Sequence, residues 1–427
     1  MDTLFIFLGV FFLLLALGLP VALSLGSTMM VLVVTKSSLP LMIVPQQMII
    51  GADNFTLIAI PFFMLSAELM GGGGIAQRLI DFVSSVVGWI RGGLALVNVG
   101  TNMVLAGLSG SSVADAALTS SFFIPVMTKR GYAPDFSAAI TAAASVMGII
   151  IPPSIPMILL GLIASQSVLS LFLGGVVPGV LIGLALMGVS YSVARRRGYP
   201  AESWVGIREV WRRFRTTIWA TLYPVLIIGG ILGGVFTLTE ASVVAVVYAL
   251  LVGTFVYREL TLKVIYRSMV SASLTASLVM FIAATASGVA WFLNSERVPQ
   301  MIANFLTGLT QSPMMFMVIV NIFLLVVGCV MDLTPALLIL GPILYPVSQQ
   351  YGIDPIYFGV VMVTNLAIGL VTPPVGNCLY IATGVAKLPL TDVIREVWRF
   401  LFALIAILFL VTFFPPLITW LPTALRT

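Results

Sequence analysis

The chain has 427 residues, of which 60% are hydrophobic and only 8% charged, with a formal net charge of +5, and its mean hydropathy is +1.15. Soluble domains carry about 25% charged residues, so this composition defines an all-α polytopic membrane protein; long continuous apolar runs exclude an alternating β-barrel. The absence of histidine removes an imidazole base, a histidine proton relay and histidine-bound metal. The two cysteines, Cys329 and Cys378, are too few for a disulfide framework or a cysteine-rich metal site and read as small packing residues.

In chain order, residues 3–17 look like a signal peptide but lack a basic n-region and a cleavage pattern, so they count as a first span. Further spans are expected over 19–34, 49–70, 172–194, 217–236, 240–257, 270–293 and 397–421, for a hydrocarbon core that takes about 20 helical residues. Between them, 37–48 and 258–269 read as short arms along the membrane surface.

Two segments do not read as simple spans. Residues 94–108 and 113–128 are half-length apolar arms around a polar tip, Ser-Gly-Ser-Ser, at 109–112. They are followed by a span over 134–166 that is broken at Pro152-Pro153. The arms 313–329 and 336–348 flank a second tip, and a second broken span covers 355–386 with Pro373-Pro374 at its break. Lipid-exposed irregular backbone leaves amides and carbonyls unpaired, so these are expected to be re-entrant hairpins and discontinuous helices enclosed by protein.

One gapless offset of 221 residues superposes Gly107 on Gly328, Pro125 on Pro346, Gly131 on Gly352, Pro134 on Pro355, Gly148 on Gly369 and Pro152-Pro153 on Pro373-Pro374. The chain is therefore expected to be two repeats, each of five crossings plus one hairpin. An odd number of crossings inverts the second copy, the arrangement in which transporters place a binding site between broken helices at the midplane. The expected division is 1–93 as frame and arm of the first repeat and 94–170 as hairpin 1 with its broken helix; 171–312 holds connecting and frame spans with a cytoplasmic loop at 195–216, 313–386 the second hairpin and broken helix, and 387–427 the last span. If Lys129 and Arg130 are cytoplasmic, counting crossings leaves only Lys36, Arg297 and Arg426 of the 20 basic residues outside. Both termini are then periplasmic, hairpin 1 opens to the cytoplasm and hairpin 2 to the periplasm. The basic loop 195–216 reads as a topology anchor or as a lipid- or partner-binding segment.

Half-helices that end near the midplane leave carbonyls and amides free and carry partial charge, and proline at each break supplies no amide. Carbonyl and hydroxyl oxygens at short range suit Na⁺. The candidate ligands are Ser109, Gly148, Ile151 and Ser154 in the first repeat, and Gly328, Gly369, Thr372 and Val375 in the second. The competing reading makes the proline pairs plain kinks and the hydroxyls helix-packing groups. Carboxylates at membrane depth are costly and usually functional: Asp115 and Asp332 could bind a cation, cap a half-helix or contact substrate, while Glu68 and Glu240, near span ends, read as structural. An anionic substrate would be met by Ser111, Ser112, Ser154, Asp115, Asp332, Thr334 and Asn365 and by helix N-termini. No Arg or Lys falls in the expected membrane core, which leaves its charge to dipoles and bound cations.

The motifs GLSGSSVAD (107–115), PPSIP (152–156), GGVFTLTEAS (233–242), VMDLTPALLILGPILYP (330–346), YGIDPIYFGVVM (351–362) and GLVTPPVGNCLY (369–380) together resemble the large membrane subunit of tripartite ATP-independent periplasmic (TRAP) transporters, over nearly the whole chain. The resemblance implies a Na⁺-driven secondary importer of an organic acid, such as a C4-dicarboxylate or sialic acid, in the bacterial inner membrane, with an elevator-type transport domain. It also implies two partners, a small four-span membrane subunit as a separate polypeptide and a periplasmic binding protein. Na⁺ is the only ion expected, with no transition metal, organic cofactor or nucleic acid. A binding-protein-independent anion transporter or a channel-like subunit is the alternative. A channel needs a continuous polar path or charged ring, an enzyme needs an acid–base pair or metal, and an ATP-driven pump needs a phosphate-binding loop; none is present in the sequence.

Overall fold

The computed structural model describes residues 2–425, so Arg426 lies outside the described residues. Among these, six helices are long and apolar enough to cross a membrane: Phe55–Gly72, Val168–Arg197, Ile207–Leu232, Leu238–Val256, Leu262–Ser295 and Leu390–Phe413. The remaining helices are shorter, and the expected hairpins and broken helices are built from them.

Hairpin 1 consists of Gly93–Ser109 and Ser112–Lys129. Its turn depends on Gly110, which adopts φ +61°, a left-handed conformation that costs little only without a Cβ. Ser111 then starts the second arm by accepting the Ala114 amide at 3.4 Å. Hairpin 2 consists of Pro313–Gly328 and Leu333–Gln350. The arms of each hairpin pack on the first half of the broken helix that follows, Pro134–Ser145 and Pro355–Gly369 respectively. Both broken helices stop before a cis Pro-Pro pair, at Pro152-Pro153 and Pro373-Pro374, and resume as Ile155–Ala164 and Asn377–Ala386.

The two units interlock. Asn377–Ala386 packs on the second arm of hairpin 1 and on Pro134–Ser145, while Ile155–Ala164 packs on the second arm of hairpin 2. Each broken helix thus finishes against the other repeat. Small side chains permit the close approach: Ala138, Ala139, Ala142, Ala143 and Ala144 are fully buried. Buried amides tie hairpin arms to broken helices. In the first repeat Asn98 donates to the Thr141 hydroxyl at 2.6 Å. In the second, Asn365 donates to the Asn321 side-chain oxygen at 2.7 Å and Asn321 donates to the Thr412 hydroxyl at 2.9 Å.

The 221-residue offset carries over to the helix boundaries, since 112 + 221 = 333 and 129 + 221 = 350 mark the ends of Ser112–Lys129 and Leu333–Gln350. It also pairs Ile75–Val87 with Val298–Leu309, two short helices the sequence reading left unassigned. The copies differ at the arms. The first arm is a separate helix, Ile43–Ala52, followed by the turn Phe55–Ile58 and the helix Ala59–Gly72. The second is no separate arm but the start of a continuous 34-residue helix, Leu262–Ser295. The cause is local. Asn54 accepts the Thr56 amide at 2.9 Å and starts a new turn, whereas the matching positions 274 and 275 are Leu and Thr, which continue a helix. Likewise the last expected span is interrupted, with Leu390–Phe413 ending before Pro415 and Pro416–Ala424 following.

Several contacts between distant segments involve charged groups. Arg78–Glu259, Arg130–Glu202 and Arg197–Glu396 are ion pairs, and Arg213 donates to the Asp81 carbonyl. Their basic members all belong to segments assigned to one face by the charge count. On the other side Thr3 donates to Glu296 and Lys36 lies near Asp2.

Asn321→Ala is expected to remove the side-chain oxygen that accepts from the buried Asn365 amide, leaving the Asn321 backbone carbonyl at 2.9 Å, and to remove the donor to Thr412. It is so expected to destabilise the fold by about 1 kcal/mol, seen as a lower thermal-unfolding midpoint in detergent. Asn304→Ala, at an exposed position, is expected to leave the midpoint unchanged; equal midpoints for both variants would remove the structural role of the amide pair.

Candidate functional site

The two tips meet the two breaks. A Cβ at Gly110 would lie 2.8 Å from the Pro153 carbonyl oxygen, and one at Gly107 would lie 3.6 Å from the Pro152 carbonyl oxygen. In the second repeat Gly328 and Gly369 touch backbone to backbone, since a Cβ at Gly369 would fall 2.6 Å from the Gly328 oxygen. Glycine is required there because the chains approach closer than any side chain allows. Two of the three backbone positions assigned to the second cation set, Gly328 and Gly369, are thereby brought together.

Each predicted cation ligand can be placed. Ser109 ends the first arm of hairpin 1, and its hydroxyl accepts the Ser111 amide at 3.3 Å. Ser154 caps Ile155–Ala164 by accepting the Met157 amide at 3.4 Å, and donates to the Ile149 carbonyl at 2.6 Å. The Ile151 amide bonds Met147 at 3.0 Å, which holds the stretch before the proline pair. Thr372 donates to the Ile368 carbonyl at 2.8 Å, and the Val375 amide reaches the Cys329 carbonyl at 3.2 Å. Each hydroxyl spends its proton on a carbonyl or turns a lone pair to an amide, and each oxygen keeps further acceptor capacity.

Asp115 is buried, and its Oδ2 has no hydrogen-bond partner. Gly148 lies directly against it, so that a Cβ at 148 would overlap Asp115 Oδ2 and lie 3.1 Å from the Ser111 carbonyl oxygen. Capping falls to Ser111, not to Asp115. An orphaned carboxylate oxygen beside clustered carbonyls and the Ser109 hydroxyl is a donor set that fits a hard monovalent cation. Asp332 differs: it is exposed, makes no side-chain cap bond and accepts from Asn377 at 3.1 Å. Both acids lie within electrostatic range of one buried thiol, Cys378, on the helix half shared between the repeats. That thiol is a free cysteine, as is the half-buried Cys329.

Of the candidate substrate contacts, Ser111 is half-buried at the tip. Ser112 is buried and donates to the Val146 carbonyl at 3.3 Å. Thr334 is half-buried in the first turn after the second tip. Asn365 is committed through its amide to Asn321, with its Oδ1 unpaired. Glu240 closes a capping box with Thr237. Glu68 accepts from Ser271 at 2.9 Å, joining two frame helices.

A cavity of about 680 Å³ opens beside tip 1. Ser109, Ser111 and Asp115 form one wall; Glu68 on Ala59–Gly72, with Arg267 and Thr275 on Leu262–Ser295, form the other. The remaining lining is mostly apolar, as small-ligand sites usually are. Arg267 is the residue sequence reasoning missed. Its neighbours in sequence place it at a span end, and nothing in the chain signals that it faces the hairpin tip across the cavity.

Gly148→Ala is expected to drive a methyl group into the Asp115 carboxylate and to lower the thermal-unfolding midpoint by several degrees, the effect of about 1–3 kcal/mol from overpacking. Gly229→Ala, where nothing lies within 4 Å of the added carbon, is expected to be neutral or slightly stabilising. The reverse ranking would mean that tip 1 and its break do not pack as described.

A duplicated helix–break–helix core, with two polar tips enclosed by a helical frame, defines a polytopic α-helical membrane protein of transporter architecture. The fold agrees with the YdaH transporter of Alcanivorax borkumensis, at TM-score 0.60 and 13% identity over 88% of this chain and 89% of that one. The chain belongs to the large membrane subunits of TRAP transporters: residues 8–417 match the family described as "Tripartite ATP-independent periplasmic transporter, DctM component". It is 40% identical to the 2,3-diketo-L-gulonate TRAP transporter large permease protein YiaN of Escherichia coli, over 97% of each chain. It is 42% identical to the C4-dicarboxylate TRAP transporter large permease protein DctM of Pseudomonas aeruginosa, over 87% of each. The isethionate TRAP transporter permease protein DctMQ of Oleidesulfovibrio alaskensis is 39% identical over 97% of this chain, which spans 65% of that protein.

Proposed function

We propose that this chain is the membrane-spanning permease of a Na⁺-coupled secondary importer of an organic acid in the bacterial inner membrane. The observation that carries this reading is the pair of tip-and-break contacts, one ending in an orphaned buried carboxylate and the other in a glycine–glycine contact. Two such sites supply oxygen ligands for more than one Na⁺ per cycle. Relatives named for C4-dicarboxylate, 2,3-diketo-L-gulonate and isethionate support a small organic anion as substrate. The substrate is delivered by a periplasmic binding protein, and a small four-span membrane subunit completes the complex.

In this reading the hairpins and broken helices form the moving transport domain, and the long helices Leu238–Val256 and Leu262–Ser295 belong to the frame. The cavity beside tip 1 is the route by which substrate leaves toward the basic, cytoplasmic face. Arg267 stands on the frame wall of that route. Among the described residues it has no ion-pair or hydrogen-bond partner, and it is the only Lys or Arg lining the cavity. It supplies the positive charge that an anion needs once it leaves the tip dipoles and bound cations.

The Na⁺ sites are tested by uptake in proteoliposomes containing the small subunit and binding protein. Thr372→Val removes one hydroxyl oxygen while nearly keeping volume. It is expected to raise the half-maximal Na⁺ concentration roughly 5- to 150-fold, the effect of about 1–3 kcal/mol. Thr383→Val, in the second half of the same broken helix, where the hydroxyl bonds Leu379 at 2.6 Å, is expected to match the wild type. Undiminished uptake without Na⁺, or impairment of Thr383→Val alone, contradicts the assignment.

The same assay tests the exit route. Arg267→Gln is expected to lower the rate at saturating Na⁺ about 10-fold while leaving the half-maximal Na⁺ concentration unchanged. Arg267→Lys is expected to recover much of the rate. A shift in Na⁺ affinity with unchanged rate would place Arg267 with the cation machinery instead.

A further inference from the structure

A second cavity, of about 370 Å³, opens at the basic face between the ends of Val168–Arg197 and Leu390–Phe413. It is lined by Val189, Ser192, Val193, Arg196, Arg197 and Arg399. It touches neither hairpin tip nor either break. From its chemistry we infer that it is a binding site for the headgroup of an anionic phospholipid.

Two cations converge on one anion, and a third stands unpaired beside them. The Glu396 carboxylate accepts from Arg197 at 2.6 Å and from Arg399 at 2.8 Å. With its side chain only 10% exposed, Glu396 acts as a fixed strut that aims two guanidinium groups at one place. Arg196 is exposed, and among the described residues it has no hydrogen-bond or ion-pair partner. The cluster therefore carries excess positive charge with guanidinium donors to spare, which suits a phosphate group.

The surroundings favour a lipid over free phosphate. Trp398 and Tyr191, 43% and 41% exposed, lie on the same two helices as the arginines, and such aromatic residues mark headgroup depth. Below the basic rim both helices turn apolar or small along the same outward stripe. Leu184, Gly188, Ser192 and Arg196 follow one another at four-residue spacing, all exposed. On the partner helix Arg399, Phe402, Ala406 and Leu410 are likewise exposed at helical spacing. A phosphate set between the arginines would send its acyl chains along these stripes. A basic pocket between transmembrane helices at the membrane surface is the geometry that binds anionic headgroups.

The test is native mass spectrometry of the full chain in neutral detergent, titrated with cardiolipin or phosphatidylglycerol, with phosphatidylcholine and inorganic phosphate as separate arms. Anionic lipid is expected to be retained and phosphatidylcholine lost, with inorganic phosphate at equal concentration displacing little. The Arg196→Gln/Arg399→Gln variant is expected to weaken retention roughly 30-fold, at about fivefold per arginine. Arg212→Gln, a basic residue outside the pocket, is expected to retain lipid as the wild type does. Ser192→Trp fills the pocket without changing charge and is expected to abolish retention, so the inference remains testable if the double variant fails to fold. Equal retention by wild type and Ser192→Trp, equal loss in Arg212→Gln, or ready displacement by inorganic phosphate would overturn it. Protection of these arginines by the small subunit rather than by lipid would overturn it too.

Discussion

Everything in this molecule follows from one constraint, that an interrupted backbone at membrane depth must find its hydrogen-bond partners inside the protein. The chain contains two such interruptions per repeat, a tip and a Pro-Pro break. It solves the problem by pressing tip on break within each repeat and by swapping the ends of the broken helices between repeats. Asn377–Ala386 seals against hairpin 1 and Ile155–Ala164 against hairpin 2. Neither unit encloses its own irregular backbone alone. The doubled sequence is thus a structural necessity before it is a functional one.

The same enclosure creates the chemistry. Carbonyls released by the breaks and hydroxyls at the helix ends are held in place by the helices packed around them. The Asp115 carboxylate sharpens this at tip 1, because a buried anion without a partner is unfavourable unless a counter-charge arrives. The frame side of the neighbouring cavity carries Arg267 and Glu68, while the hairpin side carries hydroxyls and the Asp115 carboxylate. The two walls belong to different helices, the hairpin arms on one side and Ala59–Gly72 with Leu262–Ser295 on the other.

Much of this was legible in the sequence, because proline, glycine and charge at membrane depth each have a narrow set of physical causes. The 221-residue offset located both Pro-Pro breaks to the residue and both hairpins to within a few residues, the second arms running Ser112–Lys129 and Leu333–Gln350 against the expected 113–128 and 336–348. What escaped had weaker local signals. The short amphipathic helices Ile75–Val87 and Val298–Leu309 are too brief to read as spans. The continuous helix Leu262–Ser295 escaped because the repeat logic carried an arm boundary across from a copy that has Asn54 to one that does not. Arg267 escaped because cavity lining is a property of how helices pack. Asp115 was read with capping open, but Ser111, four residues earlier, holds the cap geometry, and only the fold shows which of the two side chains turns inward.

The repeats are alike in backbone and unlike in charge, and this difference is the most informative feature of the core. The offset places Asp332 opposite Ser111, and Asp115 opposite Ala336. Tip 1 therefore keeps its carboxylate inside, one turn into the second arm, against the glycine of the break. Tip 2 keeps its carboxylate outside, bonded to Asn377. A symmetric scaffold needs matched glycines and prolines, and these are matched. The matched glycines and prolines shape the chain in both copies, while the acidic group sits buried at one tip and exposed at the other.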